Sequence, residues 1–269
     1  MIKLSISNIA WSKDQDDEMY SKIKEMGFHG IEIAPSRIFG ERPYDKLDIA
    51  KDWALSIREK FGLEISSMQS IWYGRKENLF HTIEERENLF DYSVKAINFA
   101  RAISCGNLVF GCPRNRFMEN KSSRAEEDAI VFFKAIGATA QAYGIKFGIE
   151  PNPTIYNTNY LNTTDEVHQL LASIGNSGLG INLDLGTILY NSESLESIRN
   201  FIHQISHVHI SEPGLAVIQK RKEHKILFEI LQEERYDKFV SIEMSKCESV
   251  SEVQRVMDYI KGVCTYAES

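Results

Sequence analysis

The sequence predicts an α/β protein of the (β/α)8 TIM barrel class, a parallel eight-stranded barrel surrounded by helices. Short runs of apolar and β-branched residues alternate along the chain with longer segments of helical period, and there are eight of each. This alternation is typical of a parallel sheet covered by helices, and eight repeats match the number that closes a barrel. A length of 269 residues is usual for one such barrel, so we assign residues 1–269 to a single domain.

The elements follow one another in regular alternation. The predicted strands are Lys3–Ser7, Gly30–Ala34, Glu64–Gln69, Asn107–Gly111, Lys146–Glu150, Leu179–Asp184, His207–Ile210 and Phe239–Glu243. The predicted helices are Asp16–Met26, Lys46–Phe61, Ile83–Ser104, Ser123–Tyr143, Thr164–Ser173, Leu195–His203, Glu223–Glu233 and Val250–Val263. Glycine is the usual residue just past a helix C-terminus. It stands between a helical pattern and the next strand at Gly27, Gly62, Gly106 and Gly144.

A doubly wound open sheet is the alternative architecture. That fold would need a glycine-rich phosphate-binding turn after the first strand. The turn here reads Asn8-Ile9-Ala10-Trp11, and no Pro/Ser/Gly linker divides the chain. The sequence therefore favours the closed barrel.

Composition and charge exclude several classes of protein. A hydrophobic content of 43% argues against disorder, and no run of 18 apolar residues is present that could cross a membrane. The net charge of −7 argues against nucleic acid as the main partner, because phosphate binding normally needs a basic face. The four cysteines form no C-x-x-C pair, and Met1–Leu4 leads into a strand with no signal-peptide pattern. We expect reduced thiols and a cytoplasmic protein.

Polar residues stand at the predicted carboxyl ends of the last four strands. In a (β/α)8 barrel these ends carry the chemistry, and a charged group there is costly unless it is paired or binds a metal. The four residues are Glu150, Asp184, His209 and Glu243. His207 lies on the same strand face as His209, and we choose His209 because it is nearer the strand end. Three carboxylates and one imidazole predict one divalent ion, which could be Mn²⁺, Mg²⁺, Co²⁺ or Zn²⁺.

Other polar and aromatic residues at the same end of the barrel are candidates for substrate contact. Glu32 and Gln69 stand at the ends of the second and third strands, where they could hydrogen-bond substrate hydroxyls. Trp11, Trp72 and Tyr73 could stack on a bound small molecule, or could simply pack the loops. If the substrate carries a phosphate, Arg114 or Arg116 should bind it, because both follow the fourth strand.

The order of motifs resembles the xylose-isomerase-like TIM barrels, and within them the sugar (phosphate) isomerases/epimerases that include the ketose 3-epimerases. The motifs are I-E-P, N-L-D, H-V-H-I-S-E and S-I-E-M, on strands five to eight. The resemblance implies that Glu150, Asp184, His209 and Glu243 bind the metal. It also implies that Glu150 and Glu243 form the acid/base pair, and that Glu212 of the H-x-x-E motif contacts the substrate.

The chain departs from the family pattern at two places. Thr187 stands where relatives often have a histidine, three residues after the metal-binding aspartate. The 3-epimerases continue H-x-x-E with an arginine that holds the sugar, whereas here Pro213-Gly214-Leu215 follows Glu212 and the next arginine is Arg221. His224 could compensate as a substrate-binding histidine on the loop after strand seven, or could belong to the first turn of the next helix.

These features predict a metal-dependent sugar or sugar-phosphate isomerase or epimerase, acting by proton transfer through a metal-stabilised enediolate. A metal-dependent lyase or hydrolase on the same barrel, such as a keto-inositol dehydratase, is the main alternative. A non-catalytic sugar-binding barrel is another. An apurinic endonuclease with three zinc ions would need further histidines where the chain has Gln69, Cys112 or Arg114, and Thr187. We expect a small-molecule partner, neither nucleic acid nor membrane, and we leave homodimer formation open.

Overall fold

Eight parallel strands close into a barrel in which each strand pairs with the next in sequence and the eighth pairs with the first. The computed structural model describes residues 1–119, 121–175 and 178–268. The strands are β1 Lys3–Ser7, β2 Gly30–Ile33, β3 Glu64–Met68, β4 Asn107–Phe110, β5 Lys146–Ile149, β6 Leu179–Asp184, β7 Ile205–Ile210 and β8 Phe239–Ile242. The predicted (β/α)8 barrel is thus confirmed, with several strands ending one residue earlier than expected.

Helices connect the strands and cover the outside of the barrel. They are α1 Asp16–Glu25, α2 Pro35–Phe39, α3 Leu47–Phe61, α4 Ile83–Ala102, α5 Ser123–Ala142, α6 Thr164–Ile174, α7 Leu185–Asn191, α8 Lys222–Glu233 and α9 Val250–Glu268. The short helices α2 and α7 were not expected. The helix predicted over Leu195–His203 is present as a 3₁₀ segment, Leu195–Gln204, which is interrupted at Phe201.

Local interactions in the sequence explain several of these boundaries. Thr163 and Glu166 form a capping box at the start of α6, in which each side chain accepts a hydrogen bond from the other residue's backbone N–H at 3.2 Å. Gly178 allows β6 to approach α5 closely, because a Cβ atom there would lie 1.9 Å from the carbonyl oxygen of Gly137. No helix in the described part of the chain is long and apolar enough to cross a membrane.

The barrel interior differs from the apolar packing that is common in this fold. Apolar strand residues such as Ile6, Ile31 and Val208 are fully buried in the core. Ser67 on β3, however, lies 3.3 Å from the Nε2 atom of His207 on β7. These strands are four positions apart around the barrel, so the two side chains meet in the lumen. The layer beneath the strand ends is therefore a polar hydrogen-bonded network.

Candidate metal centre

The structure brings together the four strand-end residues of β5 to β8. Their potential ligand atoms all lie within 4.8 Å of one another, and each residue is buried. The Nδ1 atom of His209 is 2.9 Å from Glu150 Oε1 and 3.1 Å from Glu243 Oε2. We refer to Glu150, Asp184, His209 and Glu243 as the four-residue cluster.

The donor set of the cluster fits a divalent cation. Three carboxylates and an imidazole are suitable ligands for Mn²⁺, Mg²⁺, Co²⁺ or Zn²⁺. Without a cation, the carboxyl groups of Glu243 and Asp184 resist ionisation. Burial raises the pKa of Glu243 to about 7, and nearby Glu150 adds to the shift while His209 opposes it. Burial, together with repulsion from Glu150, likewise raises the pKa of Asp184 to about 6. A divalent cation would offset the cost of ionising these buried carboxyl groups.

Amide side chains orient the carboxylates of the cluster. Asn182 donates to Glu150 Oε1 at 2.8 Å, and Asn152 donates to Glu150 Oε2 at 3.1 Å. Gln69 donates to Glu243 Oε1 at 3.0 Å. Neither asparagine was identified from the sequence. Asn182 could have been found, because it shares a strand face with Asp184 by the two-residue period of a β-strand.

Thr187 fixes the conformation of Asp184. Asp184 is the N-cap of α7, and its Oδ1 accepts a hydrogen bond of 2.6 Å from the backbone N–H of Thr187. The hydroxyl of Thr187 donates to the carbonyl of Pro151 at 2.9 Å, and the hydroxyl of Ser211 donates to Asp184 Oδ2. Thr187 therefore anchors Asp184, a potential metal ligand, from the backbone side.

Glu32 lies beneath the cluster and not beside the cavity. Its side chain is 0% exposed, and its Oε2 is 2.8 Å from His209 Nε2 and 3.3 Å from His207 Nε2. The register between β2 and β3 explains why Glu32 lies below the cavity. Glu32 pairs with Ser67, whereas the backbone of Gln69, which does reach the cavity, bonds Ile33 at the end of β2. The expected contact between Glu32 and a substrate hydroxyl therefore does not fit this placement.

Glu32 forms an ion pair with His209 inside the barrel. Burial by itself would raise the pKa of Glu32, but His209 and His207 hold it well below its ordinary value. Burial would lower the pKa of His209, yet Glu243 and Glu32 outweigh it and raise that pKa well above normal. Glu32, His207 and His209 also form a second group of potential metal ligands, but each is almost completely inaccessible to solvent.

A cavity of about 160 Å³ opens directly above the cluster. Three carboxylates of the cluster reach it, and the remaining lining is polar on one part and apolar on another. The polar residues are Gln69, Ser70, Asn152 and Tyr156, and the others are Val109, Gly111, Cys112, Pro113 and Leu215. Burial raises the pKa of Tyr156, whose hydroxyl accepts a hydrogen bond from the Gly214 N–H at 3.1 Å and keeps its own proton to donate.

The aromatic residues proposed from sequence do not line this cavity. Trp11 is buried and donates to Asp16 at 2.8 Å, and Trp72 is buried and donates to Ser93 at 2.8 Å. Tyr73 is 72% exposed on the loop after β3. Trp11 and Trp72 therefore pack the loops, which was one of the two alternatives predicted from the sequence, whereas Tyr73 neither packs in a loop nor lines the cavity.

The two arginines after β4 have different environments. Arg114 is exposed on the turn whose Pro113 lines the cavity. Arg116 is fully buried and donates to the carbonyl oxygens of Glu150 at 2.9 Å and Leu161 at 3.5 Å. Burial lowers the pKa of Arg116 to about 10. A phosphate cannot reach this buried guanidinium, so Arg116 fixes the backbone behind Glu150.

Glu212 and His224 also have internal partners. Arg221 donates to both carboxylate oxygens of Glu212 at 2.6–2.9 Å, and the Gln219 N–H donates to Oε1 at 3.0 Å. His224 is buried in the first turn of α8, where its Nδ1 is 2.9 Å from the Tyr259 hydroxyl. Neither Glu212 nor His224 lines the cavity in this conformation.

Comparison with known proteins identifies a family for almost the whole chain. The sequence profile described as xylose isomerase-like TIM barrel matches residues 20–262. Inosose dehydratases from Bacillus thuringiensis (strain Al Hakam) and Geobacillus thermodenitrificans (strain NG80-2) are each 24% identical over 247 residues. Those alignments span 84% of this chain and 76% of each relative.

Solved structures of sugar epimerases share the fold. The structure of 3-keto-D-glucoside 4-epimerase from E. coli matches with a TM-score of 0.78 and 17% identity, over 98% of this chain and 100% of that one. D-psicose 3-epimerase from Clostridium cellulolyticum matches with a TM-score of 0.79 and 14% identity, over 99% of both chains. L-ribulose 3-epimerase matches with a TM-score of 0.77 and 14% identity, over 100% of this chain and 96% of that one.

Proposed function

The chain belongs to the xylose isomerase-like TIM barrel family, and from that premise we propose that it is a divalent-metal-dependent sugar or sugar-phosphate isomerase or epimerase. One observation carries the proposal. Glu150 and Glu243 both approach the Nδ1 atom of His209, at 2.9 and 3.1 Å, and both reach the cavity above the cluster. A sugar held in that cavity would contact two carboxylates able to move protons.

The four-residue cluster would hold the metal ion, as the chemistry of its donors allows. When bound, a divalent cation supplies Lewis acidity that polarises a carbonyl and stabilises negative charge developing on its oxygen. The acidity of the neighbouring carbon then rises, which makes proton removal by a carboxylate feasible.

The protein groups around the cavity would carry out the proton transfer. Glu150 or Glu243 accepts the proton from the carbon beside the carbonyl. If the second carboxylate returns a proton to the opposite face, the centre is inverted. If the same carboxylate returns it to the adjacent carbon, the product is an isomer. Gln69, Asn152 and Tyr156 would orient substrate oxygens, since all three present polar atoms to the cavity.

A lyase is the second candidate, and the inosose dehydratase relatives are the observation that favours it. Such an enzyme would use the same carboxylate to remove a proton and would then lose hydroxide from the next carbon. An endonuclease with three zinc ions fits the site poorly. Thr187 is committed to Pro151, and burial raises the pKa of the Cys112 thiol to about 12, which disfavours its use as a thiolate ligand.

Proton NMR in D₂O distinguishes these functions. The metal-loaded protein is incubated with a panel of ketoses, aldoses and keto-inositols. An isomerase or epimerase introduces deuterium beside the carbonyl and keeps the number of hydroxyl groups. A lyase forms an unsaturated carbonyl compound that absorbs in the ultraviolet. A metal-loaded protein that produces neither change in any compound would contradict the proposal.

Glu32 is expected to act on the metal through His209. A carboxylate that holds the far nitrogen of a metal-binding histidine fixes the orientation of its ring, and loss of such a partner typically weakens metal binding ~10–100-fold. Glu32→Gln should lower affinity for Mn²⁺ or Zn²⁺ by about that factor, as measured by titration with a competing chelator. Glu59→Gln, on the exposed face of α3, is the control. Unchanged affinity in a folded Glu32→Gln protein would assign Glu32 to barrel stability alone.

A further inference from the structure

The carboxylate of Glu243 is oriented by fewer donors than the other carboxylates of the four-residue cluster. Both oxygens of Glu150 and both oxygens of Asp184 accept hydrogen bonds from amide or hydroxyl groups of neighbouring residues. Oε2 of Glu243 lies beside His209 Nδ1, which is itself a potential metal ligand. Among the described residues, the hydrogen bond that reaches this carboxylate from outside the cluster comes from Gln69, at Oε1. The orientation of Glu243 therefore depends on one amide.

The Gln69 side chain has a partner for each of its polar atoms. Its Nε2 donates to Glu243 Oε1 at 3.0 Å and to the Ser7 hydroxyl at 3.1 Å, which uses both of its protons. Its Oε1 accepts a hydrogen bond from the Ser70 hydroxyl. Because the amide is planar, a hydrogen bond at its carbonyl end also fixes the direction in which the Nε2–H groups point. Ser70 thus influences the donor that Glu243 receives.

Ser70 has a backbone conformation that serine seldom adopts. Its φ of +54° lies in the left-handed region, which favours glycine because a Cβ atom is crowded there. In an extended chain, the side chains of consecutive residues point to opposite sides. The left-handed turn instead brings the Ser70 hydroxyl to the amide of Gln69, the residue directly before it.

Other non-glycine residues around the cavity have left-handed backbones as well. Cys112 has a φ of +47° and Leu215 a φ of +55°, and both line the cavity together with Ser70. Strain of this kind persists only where the surrounding structure imposes it, and it concentrates at functional sites. The hydroxyl of Ser70 is the group that a glycine at this position would lack.

We propose that Ser70 is a positioning residue for Glu243 and that it acts through Gln69. Its hydroxyl holds the Gln69 amide, and the amide holds the Glu243 carboxylate in the orientation used for metal binding and proton transfer. The roles of Glu243 as metal ligand and base rest on the function proposed above. The hydrogen-bonded path from Ser70 through Gln69 to Glu243 does not depend on which substrate is bound.

A double-mutant cycle on Mn²⁺ affinity tests this path. Mn²⁺ is titrated against a competing chelator in wild type, Ser70→Ala, Gln69→Leu and the double variant. Ser70→Ala should weaken binding by about tenfold, the lower end of the ~10–100-fold range for groups that orient metal ligands. In the Gln69→Leu background the same change should have no further effect, because residues in one hydrogen-bonded network do not act additively. Gln69→Met provides a second background of similar volume.

Two more variants separate the hydroxyl from the backbone strain. Ser70→Gly suits the left-handed conformation and should be at least as stable to heat as Ser70→Ala, yet it should bind Mn²⁺ as weakly. Ser104→Ala is the matched control. Ser104 is also left-handed, with a φ of +58°, but it lies on an exposed turn between α4 and β4, so its variant should keep wild-type affinity.

Full Mn²⁺ affinity in Ser70→Ala, or equal losses in both backgrounds, would overturn the inference. Kinetics at saturating Mn²⁺ give a second readout, since a positioning role lowers kcat whereas a direct contact with substrate raises KM alone. A change confined to KM would therefore also overturn it. The affinities do not require turnover, so an inactive protein with the expected affinities would contradict the proposed function and sustain this inference. A wild-type protein that binds neither Mn²⁺ nor Zn²⁺ would overturn both.

Discussion

Replacing Glu243 or Glu150 by glutamine is expected to lower turnover by ~10²–10⁴-fold, the range typical of general acid–base catalysis. Glutamine keeps the length of the side chain and one oxygen, but it cannot accept a proton from carbon. In Glu243→Gln the amide oxygen can still accept the hydrogen bond that Gln69 now donates to Oε1. Metal binding should be weakened and not abolished, because the other members of the cluster remain.

Proton exchange in the two variants distinguishes an epimerase from an isomerase. With two opposed bases, one single variant should still exchange the substrate proton with D₂O while failing to invert the centre. With one base, one variant should lose exchange entirely and the other should lose mainly metal affinity. Proton NMR and elemental analysis of the same samples provide both readouts, with Glu59→Gln as the control. Wild-type turnover in both metal-loaded variants would show that neither glutamate is the base.

The positions of the four cluster residues could be predicted from the sequence because the end of each apolar run marks the end of a strand. Each of the four residues stands within one residue of the end of an apolar run, and parallel strands of a closed barrel bring their carboxyl ends to one rim. The choice of His209 over His207 rested on the same reasoning. The structure places His209 at the cluster and His207 one layer deeper, where its Nε2 is 2.8 Å from the Ser241 hydroxyl.

How deep a side chain lies below the rim of the barrel could not be predicted from the ends of the apolar runs. Glu32 also stands near the end of an apolar run, but depth depends on the register with neighbouring strands. The pairing of β2 with β3 shifts between Ile31 and Glu32, and no local pattern in the sequence indicates that irregularity. Glu32 was therefore expected beside a substrate, whereas the structure places it behind His209.

Contacts between loops likewise could not be predicted from the sequence. Glu212 and Arg221 are nine residues apart with no regular period between them, so no sequence pattern predicts that they form an ion pair. Tyr156 reaches the cavity from the loop after β5, and only the folded arrangement connects it to Gly214. Arg116 follows the same strand end as Arg114, yet one is buried and the other exposed. Such differences depend on tertiary packing, which the spacing of apolar and polar residues along the sequence does not reveal.

Removal of the metal is expected to abolish turnover and to destabilise the fold. An ion that binds only the folded state stabilises it by about 4 kcal/mol when its free concentration is ~1,000-fold above Kd. The chain without metal also has to hold three converging carboxylates in a buried site. Thermal unfolding with and without a chelator measures the stability change, and addition of Mn²⁺ or Zn²⁺ to the chelated protein should restore both stability and turnover.

The stabilisation by metal should increase with pH. Burial raises the pKa of Glu243 to about 7 and of Asp184 to about 6, so without metal both carboxyls bind protons more tightly in the folded than in the unfolded chain. Stability of the metal-free protein should therefore fall as pH rises from about 4 towards 7. Bound metal favours the ionised carboxylates and a neutral His209, so it offsets this loss and competes with protons at low pH. The increase in Tm on adding metal should thus be small at about pH 5.5 and large at about pH 8. An increase that is larger at the lower pH, or absent at both, would contradict metal binding by these carboxylates.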